Sequence, residues 1–257
     1  MSSLRERLRP FVPAAAGLVS ALVACLVFLA SAGDRVPQGA RGPAAACAAA
    51  LLASLVFPTL SVALAAPGPA GPAADARRWA RLVAGALGGA TFGALVFALA
   101  FARAAVLATL LSYLVTGACA VSFGALARAV GKALRSCVAG GLVAGASLLV
   151  MIAAPFWSRG LLASGAGGWL GKPLVGASPF LAAAIPWTGA SAGWGFDPRW
   201  SRLLYRAWVG TDFPLAYPSW IACVTGHVLV GAAILAVADL PRVLRDRRDR
   251  RSPGAAE

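Results

Sequence analysis

One stretch of the chain constrains its fold more than any other: residues 82–127 contain a single charged side chain, that of Arg103. As one continuous α-helix this stretch would be about 69 Å long, more than twice the roughly 30 Å hydrocarbon thickness of a bilayer. Charged residues make up only 12% of the chain, about half the share found in a soluble domain. Lipid must therefore surround most of the chain. We expect two antiparallel membrane-spanning helices, residues 82–102 and 104–127, that turn at Arg103.

Four further apolar runs have the length of a membrane span, and they are residues 11–32, 44–66, 137–156 and 219–240. The sequence thus predicts an all-α membrane protein with six transmembrane helices in a single polytopic domain, residues 1–257. The first run also resembles a secretory signal peptide, because arginines precede it and Ala30-Ser31-Ala32 resembles a cleavage site. It is longer than the apolar region of most signals. We therefore expect an uncleaved span, with cleavage as the alternative.

The basic residues predict how the helices are oriented. The net charge is +14, but the basic residues lie between apolar runs, as topology signals do. A nucleic-acid-binding protein would instead concentrate them on one face among aromatic residues, so we expect no nucleic-acid partner. With the N-terminus inside, the short inner loops contain Arg77, Arg78, Arg81, Arg128, Lys132 and Arg135, and the short outer loops contain Arg35, Arg41 and Arg103. The excess of basic residues in the short inner loops predicts a multi-pass protein of the cell inner (cytoplasmic) membrane with both termini in the cytoplasm.

Residues 157–218, which precede the last run, are rich in tryptophan and proline. Within them, residues 178–187 are apolar but too short to span, which predicts a re-entrant or interfacial segment. Residues 197–210 have the pattern of a short amphipathic helix at the membrane surface. We expect an ordered external cap, with an ordinary outer loop as the alternative. Its candidate residues are Ser178, Pro179, Phe180, Trp187, Trp200 and Trp208.

Glycines recur at helical spacing in two of the predicted spans. The third span contains Gly85, Gly89 and Gly93, and the fifth contains Gly141 and Gly145. Such small-residue surfaces let two helices approach closely in lipid. The contact could lie within the bundle or between two chains, and the sequence leaves both possibilities open.

The sequence provides no complete site for catalysis, a cofactor or a metal ion. Gly131-Lys132 is followed by Ala133, where a P-loop needs Ser or Thr. The five cysteines show neither CxxC pairing nor metal-ligand spacing with the only histidine, His227. An intramembrane serine protease of the rhomboid kind would pair Ser122 with His227, but the flanks of Ser122 depart from its GxSG pattern. The chain also has no asparagine for an oxyanion hole. We therefore expect no enzyme and no cofactor, with His227 hydrogen-bonded inside the bundle.

Three stretches carry a resemblance to a known family. They are residues 114–157, the Ala177-Ser178-Pro179-Phe180 element after the fifth span, and the last span with its basic tail, residues 220–248. Together with six spans and a long external segment before the last, they resemble the permease subunit of type-2 ABC transporters. This resemblance implies a subunit that moves a substrate using ATP hydrolysed by a separate ATP-binding subunit. It also implies pairing with a second permease chain, with membrane lipid around both.

The resemblance further implies roles for two segments. Residues 157–218 would gate the outer side, and the loop at residues 67–81 would couple to the ATPase through Arg77, Arg78, Trp79 and Arg81. In the family this loop usually contains glutamate, which is absent here, so either the ATPase contact has diverged or the resemblance is only architectural. The alternative function is a membrane anchor or assembly factor without transport.

Overall fold

The structure, a computed structural model, describes residues 11–32, 38–65, 72–153, 173–174, 176–187 and 218–251. This part of the chain consists of helices and turns and contains no strand. We number the helices in chain order as α1 (Val12–Ala32), α2 (Gln38–Leu64), α3 (Pro72–Phe101), α4 (Val106–Ala133), α5 (Cys137–Ile152), α6 (Pro179–Ala184) and α7 (Trp220–Arg251). One 3-10 turn, Arg103–Ala105, joins α3 to α4, and another, Ile185–Trp187, follows α6.

The predicted all-α membrane fold is confirmed, since a helix occupies each of the six predicted spans. Among the described residues, the apolar helical stretches long enough to cross a membrane are Arg41–Leu64, Arg77–Phe101, Val106–Ala133 and Trp220–Ala238, and the shorter ones in α1 and α5 are Val12–Phe28 and Cys137–Ile152. The long apolar run breaks at Arg103 as predicted, because α3 ends at Phe101 and α4 begins at Val106.

Some helices extend beyond the predicted spans. Helix α3 begins at Pro72 rather than at residue 82, and α7 continues to Arg251 rather than ending at residue 240. Hydropathy marks only the part of a helix that lies in hydrocarbon, whereas the backbone hydrogen bonds continue into the polar region. Proline suits the first position of a helix, where its missing N–H is not needed. Residues 72–81 of the predicted coupling loop are therefore helical.

Helix α4 lies at the centre of the described bundle. It packs against α2, α3, α5, α6 and α7. Of the most apolar 18-residue stretch of α4, 61% is buried, compared with 11% for the corresponding stretch of α7. Among the long helices, α7 packs mainly on α4. Helix α7 is thus the least enclosed of the long apolar helices that the structure describes.

Close contact between α1 and α3 depends on glycine. A Cβ atom on Gly89 would overlap the carbonyl group of Ala14, and a Cβ atom on Gly17 would overlap that of Ala86. The predicted glycine surface of α3, Gly85, Gly89 and Gly93, thus lies against α1 within the chain. By contrast, added Cβ atoms at Gly141 and Gly145 would meet no described atom within 4 Å.

The turn between α4 and α5 closes α4 with a Schellman motif. The N–H of Ser136 donates to the carbonyl oxygen of Gly131 at 3.0 Å. The N–H of Arg135 donates to the carbonyl oxygen of Lys132 at 3.3 Å. Arg135 takes the left-handed position usually occupied by glycine, with a φ of 50°. Ser136 then caps α5 by accepting the N–H of Ala139.

Candidate functional site

Residues 178–187 pack inside the helix bundle. Ser178 caps α6 by accepting the N–H of Leu181, and Pro179 takes the first helical position. All 6 residues of α6 are buried, and the helix packs against α2 and α4. Irregular backbone at membrane depth is tolerated where it is buried in protein. The burial of Ser178, Pro179, Phe180 and Trp187 therefore places residues 178–187 among the helices of the bundle.

Ser112 of α4 ties this segment to the centre of the bundle. Its Oγ donates to the carbonyl oxygen of Ala183 at 2.7 Å and accepts the indole N–H of Trp187 at 2.6 Å. Ser112 is fully buried and Trp187 is almost so. Because hydrocarbon offers no competing water, such pairs hold polar groups in place between helices.

A second tie joins α4, α7 and Gly176. Ser122 Oγ lies 2.8 Å from Nδ1 of His227, and Nε2 of the same ring lies 2.9 Å from the carbonyl oxygen of Gly176. A carbonyl oxygen only accepts, so Nε2 carries the proton and donates it. In the neutral ring Nδ1 is then an acceptor for the Ser122 hydroxyl. The carbonyl oxygen of Cys119, at 2.9 Å, is a second acceptor for the same hydroxyl.

A glycine on α7 brings these side chains together. A Cβ atom on Gly231 would lie 3.3 Å from Cα of Ser122, so α7 approaches α4 closely at this point. His227 precedes Gly231 by one turn and projects from the same face of the helix. The close approach places the imidazole ring within hydrogen-bond distance of Ser122.

Beside this tie is a cavity of about 740 Å³ between α4, α5, α7 and the residues Pro173, Gly176 and Ala177. Apolar side chains form most of its wall, including Leu126, Met151 and Ile234. Its polar side chains are Ser122, Ser219 and His227. A mostly apolar cavity with a few convergent polar groups is the usual form of a ligand site.

The Ser122–His227 pair has the geometry of a serine hydroxyl and its general base. Acyl transfer also needs N–H donors for the developing oxyanion. The backbone N–H groups of Ser122 and Phe123 lie in the interior of α4, where each bonds within the helix. No group of three or more potential metal ligands occurs in the described residues. Within the described residues, the site thus consists of a hydroxyl paired with an imidazole beside an apolar cavity.

The residues predicted to couple to an ATPase divide into two groups. Arg77, Arg78 and Arg81 are exposed on α3. Trp79 is buried, and its indole N–H donates to the backbone oxygen of Ser61 at 3.1 Å, with the Ser61 hydroxyl at 3.2 Å. Trp79 therefore faces the bundle, and the arginines form the accessible surface. Trp200, Trp208 and the predicted helix at residues 197–210 lie outside the described residues.

Sequence reasoning considered Ser122 and His227 together but did not place them in contact, and it missed the ties made by Ser61 and Ser112. Small hydroxyl residues within apolar spans were the available signal for these ties, because such residues commonly bond between helices. Comparison with known proteins finds no family model, no curated protein and no solved structure that matches this chain.

Proposed function

We propose that the chain is the membrane-spanning permease subunit of an ABC-type transporter in the cell inner membrane. It moves a substrate across the membrane using ATP hydrolysed by a separate subunit, and it works with a second permease chain. The observation that supports this proposal is the broken segment at residues 176–187, which packs inside the bundle before the last helix. Transporters commonly build substrate sites from such discontinuous helices near the middle of the membrane.

The ties to this segment support a moving role rather than a purely structural one. Gly176 is joined to α7 through His227, and Ala183 is joined to α4 through Ser112. The segment therefore contacts both the central helix and the least enclosed one. A shift of α7 relative to α4 would move one end of the segment while Ser112 holds the other.

The energy source in this proposal is a partner. The P-loop pattern is absent from the sequence, and the exposed surface at the start of α3 provides a docking site for an ATPase. Arg77, Arg78 and Arg81 face outward there, and the positive-inside rule assigns this end to the cytoplasm.

The test is copurification with the ATPase encoded nearest to this gene, followed by ATP-driven transport in proteoliposomes. Replacing Arg77, Arg78 and Arg81 by glutamate should abolish copurification. The matched control is Arg103→Glu, because Arg103 and Arg81 are both exposed and each donates Nε to the carbonyl oxygen four residues earlier at 3.3 Å. If no ATPase binds the wild-type chain, the proposal fails and a membrane anchor or assembly factor becomes the better description. If Arg103→Glu reduces copurification equally, the surface formed by Arg77, Arg78 and Arg81 has no specific role in ATPase docking.

A second candidate function, an intramembrane serine hydrolase, is favoured by the 2.8 Å distance between Ser122 and His227. A fluorophosphonate probe reacts with activated serines, and it should label the wild-type chain but not Ser122→Ala if this candidate is correct. Ser219→Ala is the control, since Ser219 borders the same cavity. We expect no labelling of Ser122, because α4 provides no free oxyanion donors next to it.

A further inference from the structure

The cavity beside His227 is a groove along one face of α7. The residues that border it on this side recur at the three- and four-residue spacing of a single helix face. They are Ser219, which directly precedes α7, and Ala222, Cys223, Gly226, His227, Val230 and Ile234 of α7. From Ser219 to Ile234 the groove is about 22 Å long. Half of a bilayer's hydrocarbon core is only about 15 Å thick. The groove thus runs along the axis of α7 and is longer than one leaflet of hydrocarbon is thick.

Polar groups are concentrated toward one end of the groove. Beyond His227, toward Ile234, the wall is formed by apolar residues such as Leu126 and Val230. At the other end, Ser219 is exposed, and its Oγ accepts the N–H of Ala222 at 3.2 Å. Within the described residues its hydroxyl proton has no protein acceptor. The groove thus combines an apolar channel with a hydrogen-bond donor near its start.

We propose that this groove binds a single-chain amphiphile, with an acyl chain along α7 and a hydrogen-bond-accepting head, such as a carboxylate or ester, at Ser219. The His227–Ser122 pair is the polar contact farther along the chain. This inference names the substrate class of the proposed permease and rests on that function only for the transport step. Binding itself needs neither ATP nor a partner.

The volume and lining of the groove favour this occupant. Its volume of about 740 Å³ lies in the usual range for small-molecule sites, about 300–1,000 Å³. Its wall is mostly apolar along α7, as an acyl chain requires, and Ser219 is a hydrogen-bond donor at one end.

The test uses a photoreactive palmitic acid that carries a diazirine at the end of its chain, applied to the full chain in nanodiscs. Gly226→Phe should fill the groove without backbone strain, because an added Cβ atom would meet no described atom within 4 Å. Gly141→Phe is the matched control, since its Cβ is equally open but lies on α5 away from the groove. We expect crosslinks on α7 and α4 near Ile234 in the wild type and the control, and their loss in Gly226→Phe.

Ser219→Ala tests the head contact, and we expect binding about three- to tenfold weaker, as for one lost hydrogen bond. A diacyl phospholipid probe tests whether the bound acyl chain belongs to a membrane phospholipid. We expect labelling by this probe to be the same in the wild type and in Gly226→Phe. Unchanged palmitate labelling in Gly226→Phe overturns the proposal, as does equal loss in the Gly141→Phe control. Labelling that maps instead to the second cavity, beside Thr91 and Val228, also overturns it. Failure of ATPase copurification would leave this binding result unaffected, so the two proposals fail separately.

Discussion

Adjacent glycines on α3 allow the packing of α1 to be tested with the same substitution at two positions. A Cβ atom at Gly89 would overlap the carbonyl group of Ala14 and lie 2.8 Å from its Cα. A Cβ atom at Gly88 would meet no described atom within 4 Å. Gly89→Ala and Gly88→Ala therefore change helix propensity equally and differ only in what the new methyl group touches.

The expected magnitudes follow from these two environments. Gly88→Ala should stabilise by about 0.5–1 kcal/mol, because alanine loses less backbone entropy than glycine in a helix. At Gly89 the same gain is outweighed by overpacking, which costs about 1–3 kcal/mol and occasionally more. The obstructing atoms belong to the backbone of α1, so they cannot be relieved by a change of rotamer. Since the propensity gain is the same at both positions, we expect Gly89→Ala to be less stable than Gly88→Ala by about 1–3 kcal/mol.

The measurement is thermal unfolding of both variants in a mild detergent, followed by far-ultraviolet circular dichroism. At roughly 2–4 °C for each kcal/mol, the melting temperatures should differ by about 2–12 °C. Double substitution with Gly17→Ala should add little to Gly89→Ala, since both displace α1 from α3. Equal melting temperatures for Gly88→Ala and Gly89→Ala would refute the close packing of α1 on α3.

Three further predictions concern other parts of the bundle. Ser112→Ala should lower the free energy of unfolding by about 1–3 kcal/mol in the same assay, because the two hydrogen bonds of Ser112 Oγ, to Ala183 and Trp187, are lost. Arg135→Gly should raise it by about 0.5–1 kcal/mol, since glycine adopts a φ of 50° without steric cost; no change would show that the turn relaxes in another way. With all native cysteines replaced by alanine, a cysteine at position 170 should react with an impermeant maleimide in intact cells, and Arg78→Cys only after permeabilisation. The reverse pattern would overturn the predicted orientation.

Hydropathy was sufficient to predict the helices because a bilayer imposes the same requirement on each of them. A span must be long and apolar, and a run that is twice too long must turn at its one charged residue, which is Arg103. The ends of helices were less predictable. Pro72 and Arg251 lie beyond the apolar runs, where helical hydrogen bonding continues but hydropathy carries no signal.

The contacts of the candidate site depend on the axial register of helices, which is not encoded locally. Ser122 lies about 24 Å along α4 from Val106, whereas His227 lies only about 10 Å along α7 from Trp220. They meet because α7 begins deeper than α4 and approaches it at Gly231. No periodicity within either run predicts that offset.

Trp79 illustrates the same limit for a single side chain. A tryptophan beside three arginines at the end of a span has the sequence signature of an interfacial anchor. Its indole N–H instead finds an acceptor at Ser61 of α2, and the ring packs beside Gly124 of α4. A small residue on one helix and a hydroxyl on another together turn the ring inward. Neither feature is adjacent to Trp79 in the sequence.

The hydrogen bonds of His227 connect the two proposals to one physical event. The ring joins α7 to α4 through Ser122 and to the segment at residues 176–187 through Gly176, and it also borders the groove. A head group or chain that displaces the ring from Ser122 would therefore loosen α7, the least enclosed long helix. Ser122→Ala removes that bond without filling the groove. If groove occupancy and α7 movement are linked in this way, Ser122→Ala should transport or leak substrate at a rate that does not depend on the amphiphile. Palmitate should still crosslink to α7 in this variant.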